Sequence, residues 1–273
     1  MSFDLAAYLA RIRLGARPTL DHYGLAAMQR AHRLAIPFEN LDIRLGRGVA
    51  IDSDAVFAKL VTAKRGGYCF EQNRLFADAL DALGFTARPL LARVWLGAAA
   101  MPPLTHMICL VTIDGQDWIA DAGFGGSYSP PLPLIDGAEA ETPDGARFRL
   151  RQDAALGWML ERDGDSATTD GRGGGQGFQP QFSFTLAAVE APDLAMANHW
   201  TSTRPGTRFL DLVVVSIALP AGFASLTDRA YSRRSASENA SATIDDPRVY
   251  RLRLSMMFGI DLSAEEVAAL RLF

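Results

Sequence analysis

The apolar positions of the chain change their period twice. In the first 85 residues they recur at helical spacing: Leu5, Tyr8, Leu9 and Ile12 share one face, and Leu20, Tyr23 and Met28 begin a second stripe after Pro18. A third helix starts near Asp52 or Ser53, either of which can cap it, and carries Val56, Phe57, Leu60 and Val61 inward. A fourth presents Phe76, Leu80 and Leu83, with Leu75 and Ala79 beside them, and stops at Gly84, where a left-handed residue closes helices. Residues 1–85 therefore read as a helical bundle.

From Thr86 the runs shorten and fill with Leu, Val, Ile and Trp: residues 89–96, 106–113 and 117–121, then 147–151, 158–161 and 181–186. Asp114-Gly115 between the second and third is a strong hairpin signal. Residues 86–190 read as a β-sheet or small barrel. Beyond them the pattern is mixed α and β: helix over 193–200, a buried strand over 209–219, helix over 246–258, and a last helix opened by a capping box, Ser263 to Glu266, ahead of Val267 and Leu270. The glycine-rich run 171–177 has a G-x-G-x-G spacing but no Lys-Ser/Thr and no flanking strand and helix, so it reads as a mobile surface loop rather than a phosphate cradle.

Composition narrows the function. In 273 residues, 27 Lys+Arg against 31 Asp+Glu give a net charge of -4, which leaves no general cationic field for a nucleic-acid backbone or an anionic membrane. Two cysteines and four histidines furnish neither a disulfide framework nor a Cys-rich zinc site, so no metal is expected and a reducing compartment is. Residues 210–226, interrupted by Asp211, Pro220 and Gly222, fall short of the roughly 18 apolar residues of a membrane span. The opening residues form an amphipathic helix without the basic segment and cleavage site of a leader, and the expectation is a cytoplasmic protein.

The chemistry concentrates in residues 65–73, RGGYCFEQN. Gly66 and Gly67 allow a sharp, close backbone turn, and Cys69 then falls in the first turn of the fourth helix, where unpaired N–H groups favour an anion. Such a placement lowers a thiol pKa and makes Cys69 a candidate nucleophile; the alternative for a lone cysteine is a buried structural thiol. The hairpin supplies a partner. With a two-residue turn at Asp114-Gly115, Ile108 lies opposite Asp121 and His106 opposite Gly123, so His106 and Asp121 are diagonal neighbours on one face. A carboxylate beside an imidazole fixes its tautomer, and Cys69, His106 and Asp121 can form a triad in that chain order. His22, His32 and His199 stand beside polar residues in helical segments and read as solvated or capping, and Cys109, on the opposite face from His106, reads as core.

These residues resemble the arylamine N-acetyltransferase family of bacterial type. Residues 65–73 are similar to its RGGxCFExN signature, Thr105-His106 and 111–126 (VTIDGQDWIADAGFGG) to its histidine and aspartate segments, 35–41 (AIPFENL) to its IPFENL block, and 201–209 (TSTRPGTRF) to its STxPxSxF block. The resemblance implies an α+β fold of three domains: a helical bundle with the nucleophile (1–85), a β-barrel with the His and Asp (86–190) and an α/β lid (191–273), around a cysteine-protease-like triad. It also implies ping-pong transfer of acetyl from acetyl-CoA, a cosubstrate rather than a resident cofactor, to arylamines or arylhydrazines through acetyl-Cys69, a chemistry of xenobiotic metabolism. Its aromatic pocket would include Phe38, Val94, Phe124 and Phe209, and its coenzyme contacts Thr105, Gly125 and Gly126.

Gln72 occupies the variable position of the signature, Thr207 replaces a common Ser, and the connection after Gly126 lacks the long insertion of eukaryotic members, which implies a cleft open to larger acyl or coenzyme groups. Three rival readings carry their own signatures: an amide synthase releasing a polyketide-type chain, a cysteine hydrolase using the same triad with water, and a non-catalytic small-molecule binding protein. Arg229, Arg233 and Arg234 form the densest basic group of the last third and read as a solvated cluster. No oligomerisation signal separates monomer from homodimer.

Overall fold

The structure is a computed structural model that describes residues 3–126, 128–165, 176–235 and 239–273. The glycine-rich run 171–177 lies, up to residue 175, outside the described residues. The chain opens with α1 (Leu5–Arg11) and α2 (His22–Ala35), whose starts are capped by Asp4, accepting from Ala7 N–H at 3.0 Å, and Asp21, accepting from Gly24 N–H at 2.8 Å. The cap at Asp21 sets the phase of α2. Its inward face is Leu25, Met28, Gln29 and His32, while Leu20 and Tyr23, expected on the buried stripe, are exposed.

Next come β1 (Phe38–Glu39), α3 (Leu41–Arg44) and α4 (Ser53–Phe57), capped by Asp52 through Ala55 N–H at 2.9 Å. The helix continues as a π-helical turn over Ala58–Thr62. α5 (Cys69–Leu83) follows the glycine turn and ends at Gly84, whose φ of +101° is the left-handed conformation expected there.

Eight antiparallel strands follow: β2 (Thr86–Val94), β3 (Leu104–Ile113), β4 (Gln116–Ala120), β5 (Leu132–Pro133), β6 (Glu139–Glu141), β7 (Arg147–Asp153), β8 (Gly157–Asp163) and β9 (Gln179–Phe184). Their order, β5-β4-β3-β2-β9-β8-β7-β6, curls into a near-closed barrel. Alternation along β3 divides two cores. Cys109, Val111 and Ile113 face the helices, while Ile108 and Leu110 face the barrel interior with Phe182 and Phe184. Burying each such side chain is worth roughly 1.5–3 kcal/mol, which fixes the register of the strand.

The last third contains α6 (Ala191–Thr203), α7 (Arg208–Asp211), β10 (Val214–Leu219), β11 (Gly222–Thr227), β12 (Ala230–Ser235), β13 (Asn239–Thr243), α8 (Pro247–Phe258) and α9 (Ala264–Ala269). The α9 capping box forms as read, with Ser263 Oγ accepting from Glu266 N–H at 3.1 Å and Glu266 Oε2 from Ser263 N–H at 2.6 Å. The strand expected over 209–219 starts only at Val214, because the Asn40 amide donates to the carbonyls of Phe209 and Leu212, both at 2.7 Å, and accepts from Val214 N–H at 2.7 Å. That clamp holds the preceding residues in the short α7. The hairpins β11–β13 are not evident in the hydrophobic pattern, since β13 is exposed throughout.

One sheet joins the two ends of the molecule: β1 pairs with β10, giving the order β1-β10-β11-β12-β13. Phe38 also bridges Gly67, and Glu39 N–H donates to Gly67 C=O at 3.1 Å. The segment after α2 thus ties the cysteine turn to the C-terminal sheet. Among the described residues, no helix is long and apolar enough to cross a membrane.

Candidate active site

Cys69 is the first residue of α5, and the turn before it is crowded enough to require its glycines. A Cβ on Gly66 would lie 2.3 Å from the Pro37 carbonyl oxygen, and one on Gly67 2.8 Å from Glu71 Oε2. Glu71 closes the turn by accepting from Tyr68 N–H at 3.0 Å and pairs with Lys59 at 2.7 Å. Burial pushes its carboxyl up to about 7, against the pull of Lys59.

The hairpin has the expected register, Ile113 opposite Gln116 and Cys109 opposite Ala120. Asp121 follows the end of β4, and its Oδ2 lies 2.7 Å from His106 Nε2. An ionised carboxylate only accepts, so Nε2 is the donor to Asp121 and Nδ1 is the ring nitrogen left to face another partner. Asp121 Oδ1 accepts from Asn73 Nδ2 and Gly123 N–H, both at 2.9 Å, and its own N–H donates to Gln29 Oε1 at 2.9 Å. Burial alone would raise this carboxyl, but His106, Asn73 and Gly123 outweigh it and hold it below the ordinary carboxylate range.

Asn73, one helical turn beyond Cys69, connects the helix to the hairpin. Besides Asp121 it donates to Met107 C=O at 2.6 Å and accepts from Ala122 N–H at 2.9 Å. Gly123 permits the approach from the other side, since a Cβ there would lie 2.8 Å from the Cys69 carbonyl oxygen and 2.6 Å from Asn73 Nδ2. Sequence reading included Asn73 in a motif without a role, named Gly123 only as the residue opposite His106, and passed over Gln29. The spacing of Asn73 from Cys69 was a usable signal; for Gln29, which meets Asp121 across 92 positions, there was none.

Cys69, His106 and Gly123 line one cavity of about 230 Å³. Phe38, Val94, Phe124 and Phe209 line it as well, as do Thr105 and Gly125. Gly126 does not: it borders a smaller void beside Arg162 and Gln181, and its carbonyl accepts from Arg33 Nη2 at 2.8 Å. Thr201, Thr207 and Arg208, from the 201–209 block, line the Cys69 cavity too, together with Trp200, which sequence reading did not single out. Phe124 meets the His106 ring edge-on at a centroid distance of 5.1 Å, and Phe182 packs on it at 5.3 Å. Phe209 packs against Phe38 at 5.7 Å.

The Cys69 thiol departs from the expectation of a lowered pKa. Burial pushes it up, the nearby Asp121 charge adds to that, and the N–H groups of Met107 and Phe70 only partly oppose them. A helix N-terminus does not compensate desolvation here. Passing the thiol proton to His106 leaves the summed charge of Cys69, His106 and Asp121 unchanged, so the site supports an internal ion pair better than an isolated thiolate.

Residues 21–267 match the N-acetyltransferase family. The arylamine N-acetyltransferase / N-hydroxyarylamine O-acetyltransferase of Salmonella typhimurium is 36% identical over 272 residues, covering 96% of this chain and 91% of its own. The chain belongs to the arylamine N-acetyltransferase family. A solved arylamine N-acetyltransferase structure from Salmonella typhimurium superposes with a TM-score of 0.88 at 32% identity, covering 98% of both chains. The Mycobacterium marinum arylamine N-acetyltransferase in complex with CoA gives 0.86 at 28% identity, again over 98% of each chain. A proansamycin X synthase from Amycolatopsis mediterranei is 35% identical over 59% of this chain and 63% of its own.

His32 is neither solvated nor capping: it is fully buried, with Nδ1 2.9 Å from Tyr8 Oη and Nε2 2.6 Å from Gln72 Oε1. Gln72, read as a neutral departure, is also fully buried and donates to Pro37 C=O at 2.7 Å and Gly67 C=O at 3.1 Å. Its amide nitrogen is thereby committed to the cysteine turn and its oxygen to His32. Cys109 packs in the helical core as expected.

Proposed function

We propose that this chain transfers an acetyl group from acetyl-CoA to the nitrogen of arylamines or arylhydrazines through an acetyl-Cys69 intermediate. The observation that carries the reading is the 2.7 Å contact of Asp121 with His106 in the wall of the cavity that Cys69 also lines. His106 Nδ1 takes the Cys69 proton as Sγ attacks the thioester carbonyl. The Sγ–C bond forms, the coenzyme's S–C bond breaks, and the proton leaves with the coenzyme thiol.

In the second half-reaction a neutral arylamine attacks the acetyl carbon, its nitrogen loses a proton to His106, and that proton returns to Sγ as the Sγ–C bond breaks. The aromatic rings Phe38, Phe124 and Phe209 favour a flat apolar acceptor and limit water, which would otherwise hydrolyse the intermediate. Thr105 and Gly125, on the same cavity, are the proposed approach of the coenzyme, with Gly126 beyond its edge.

The proansamycin synthase likeness favours a second reading, an amide synthase, but over a smaller part of the chain. Initial rates with acetyl-CoA and aniline both varied discriminate. Parallel double-reciprocal lines, with little coenzyme release in the absence of amine, are expected. Intersecting lines contradict the acyl-enzyme route, amine-independent release points to hydrolysis, and failure with acetyl-CoA but turnover of a longer acyl thioester favours the synthase.

A further inference from the structure

Pro103 and Trp200, which line the reaction cavity, also line a second hollow of about 470 Å³. Its other walls include Leu104 from β3, Val189, and Met196 and Ala197 from α6. Three large apolar side chains stand open to solvent together there: Met196 is 71% exposed, Trp200 41% and Leu104 40%. Trp200 is held by Arg204, whose guanidinium lies 4.0 Å over the ring. The wall shared by the two spaces is therefore a pinned aromatic plane.

The charge of this hollow restricts its occupant. Among the described residues lining it, the one ionisable side chain is Asp193, whose Oδ2 accepts from Glu190 N–H at 2.9 Å. Among the lining residues a phosphate-bearing donor would meet a carboxylate and no cation, and Arg204 is engaged on the Trp200 ring, so the hollow does not favour the charged end of the coenzyme. The reaction cavity, at about 230 Å³, is smaller than the roughly 300–1,000 Å³ of a pocket for a drug-sized ligand. In the second half-reaction, with the coenzyme gone and a two-carbon acyl group on the sulfur, the acceptor alone has a remainder to house.

We infer that this hollow is an acceptor subsite, which takes the apolar, non-reacting end of an extended arylamine, a para-alkyl chain or a second ring. The inference rests on Cys69 as the acyl carrier. Met196 lines the hollow and not the reaction cavity, and its exposure makes its replacement compatible with folding.

The test is kcat/KM for aniline, 4-butylaniline and 4-hexylaniline with acetyl-CoA, in the unaltered protein and in Met196→Glu and Met196→Leu. A fully buried methylene is worth up to about fourfold, so a rise of roughly tenfold or more from aniline to the hexyl compound is expected in this half-open groove. Met196→Glu should abolish the rise while leaving aniline turnover and Cys69 acetylation unchanged, and Met196→Leu should keep it. A flat series, or a rise that survives Met196→Glu, overturns the inference. If Met196→Glu instead impairs hexanoyl-CoA as donor and spares the alkylanilines, the hollow belongs to the acyl chain. Absence of both acetylation and aniline turnover in all three proteins overturns the transfer reaction itself, a result distinct from a flat series.

Discussion

Two buried histidines, His106 and His32, differ in almost everything except burial. His106 is bonded to a carboxylate, packs against Phe124 and Phe182, and lines a cavity with a thiol. His32 is bonded to a phenol and an amide, and lines neither the reaction cavity nor the second hollow. Because Gln72 Nε2 donates to two carbonyls, its oxygen must accept from His32 Nε2–H, and Nδ1 then accepts from Tyr8 O–H. Every hydrogen-bonding site of the His32 ring is committed to protein. The His106 ring has one committed nitrogen and one available, and that difference separates a group that can move a proton from one that holds two helices and a turn together.

The largest expected effect is at the carboxylate. Asp121→Asn should lower kcat by about 10³–10⁴-fold, because the amide cannot hold the Nε2–H tautomer, whereas His32→Gln should change kcat by only a few-fold. Single-turnover acetylation rates for the two variants compare them directly, and equal losses would erase the distinction. Asn73→Ala comes next. It strips Asp121 Oδ1 of one donor and leaves Ala122 N–H without its acceptor, so denaturant titration should show a loss of about 1–3 kcal/mol, with a slower acetylation step.

Phe124→Ala should reduce arylamine turnover by roughly tenfold while reducing cysteine acetylation much less, since the ring's stacking energy is spent on the acceptor. Stopped-flow measurement of each half-reaction checks this, and equal losses would remove Phe124 from the acceptor pocket.

The finest discrimination is thermodynamic. Burial pushes His32 down to about 3, against the opposing bond from Gln72, while Arg33 and Arg11 add to the depression. The unfolded chain therefore takes up a proton near the ordinary histidine range that the native state refuses. This stability is present above that range and is lost as pH falls toward about 3, at up to about 1.4 kcal/mol per pH unit. Chemical denaturation from pH 7 to 4 should show the slope, and His32→Gln should flatten it. An unchanged slope would mean that His32 is not the group excluded from protonation.

The hairpin was readable from the sequence because strand parity is local: Asp114-Gly115 fixes the register, and the register places His106 and Asp121 on one side. The helix start at Cys69 and the close approach at Gly66 and Gly67 were local too. What escaped depends on distant partners. The identity of residue 72 gives no hint that its amide meets His32, and polar neighbours along α2 disguised a histidine facing the core. The direction of the Cys69 shift was misjudged for the same reason, as helix termini are visible in sequence and desolvation is not. Trp200, just ahead of the 201–209 block, reaches the cavity because β1 and β10 bring the C-terminal region against the cysteine turn.

Intact-protein mass spectrometry after brief exposure to acetyl-CoA, with Cys69→Ala in parallel and an aniline chase, tests the central claim most directly. One acetyl adduct that requires Cys69, disappears on the chase and reappears as acetanilide is the predicted result. An adduct retained in Cys69→Ala, or no adduct in the unaltered protein, would contradict it.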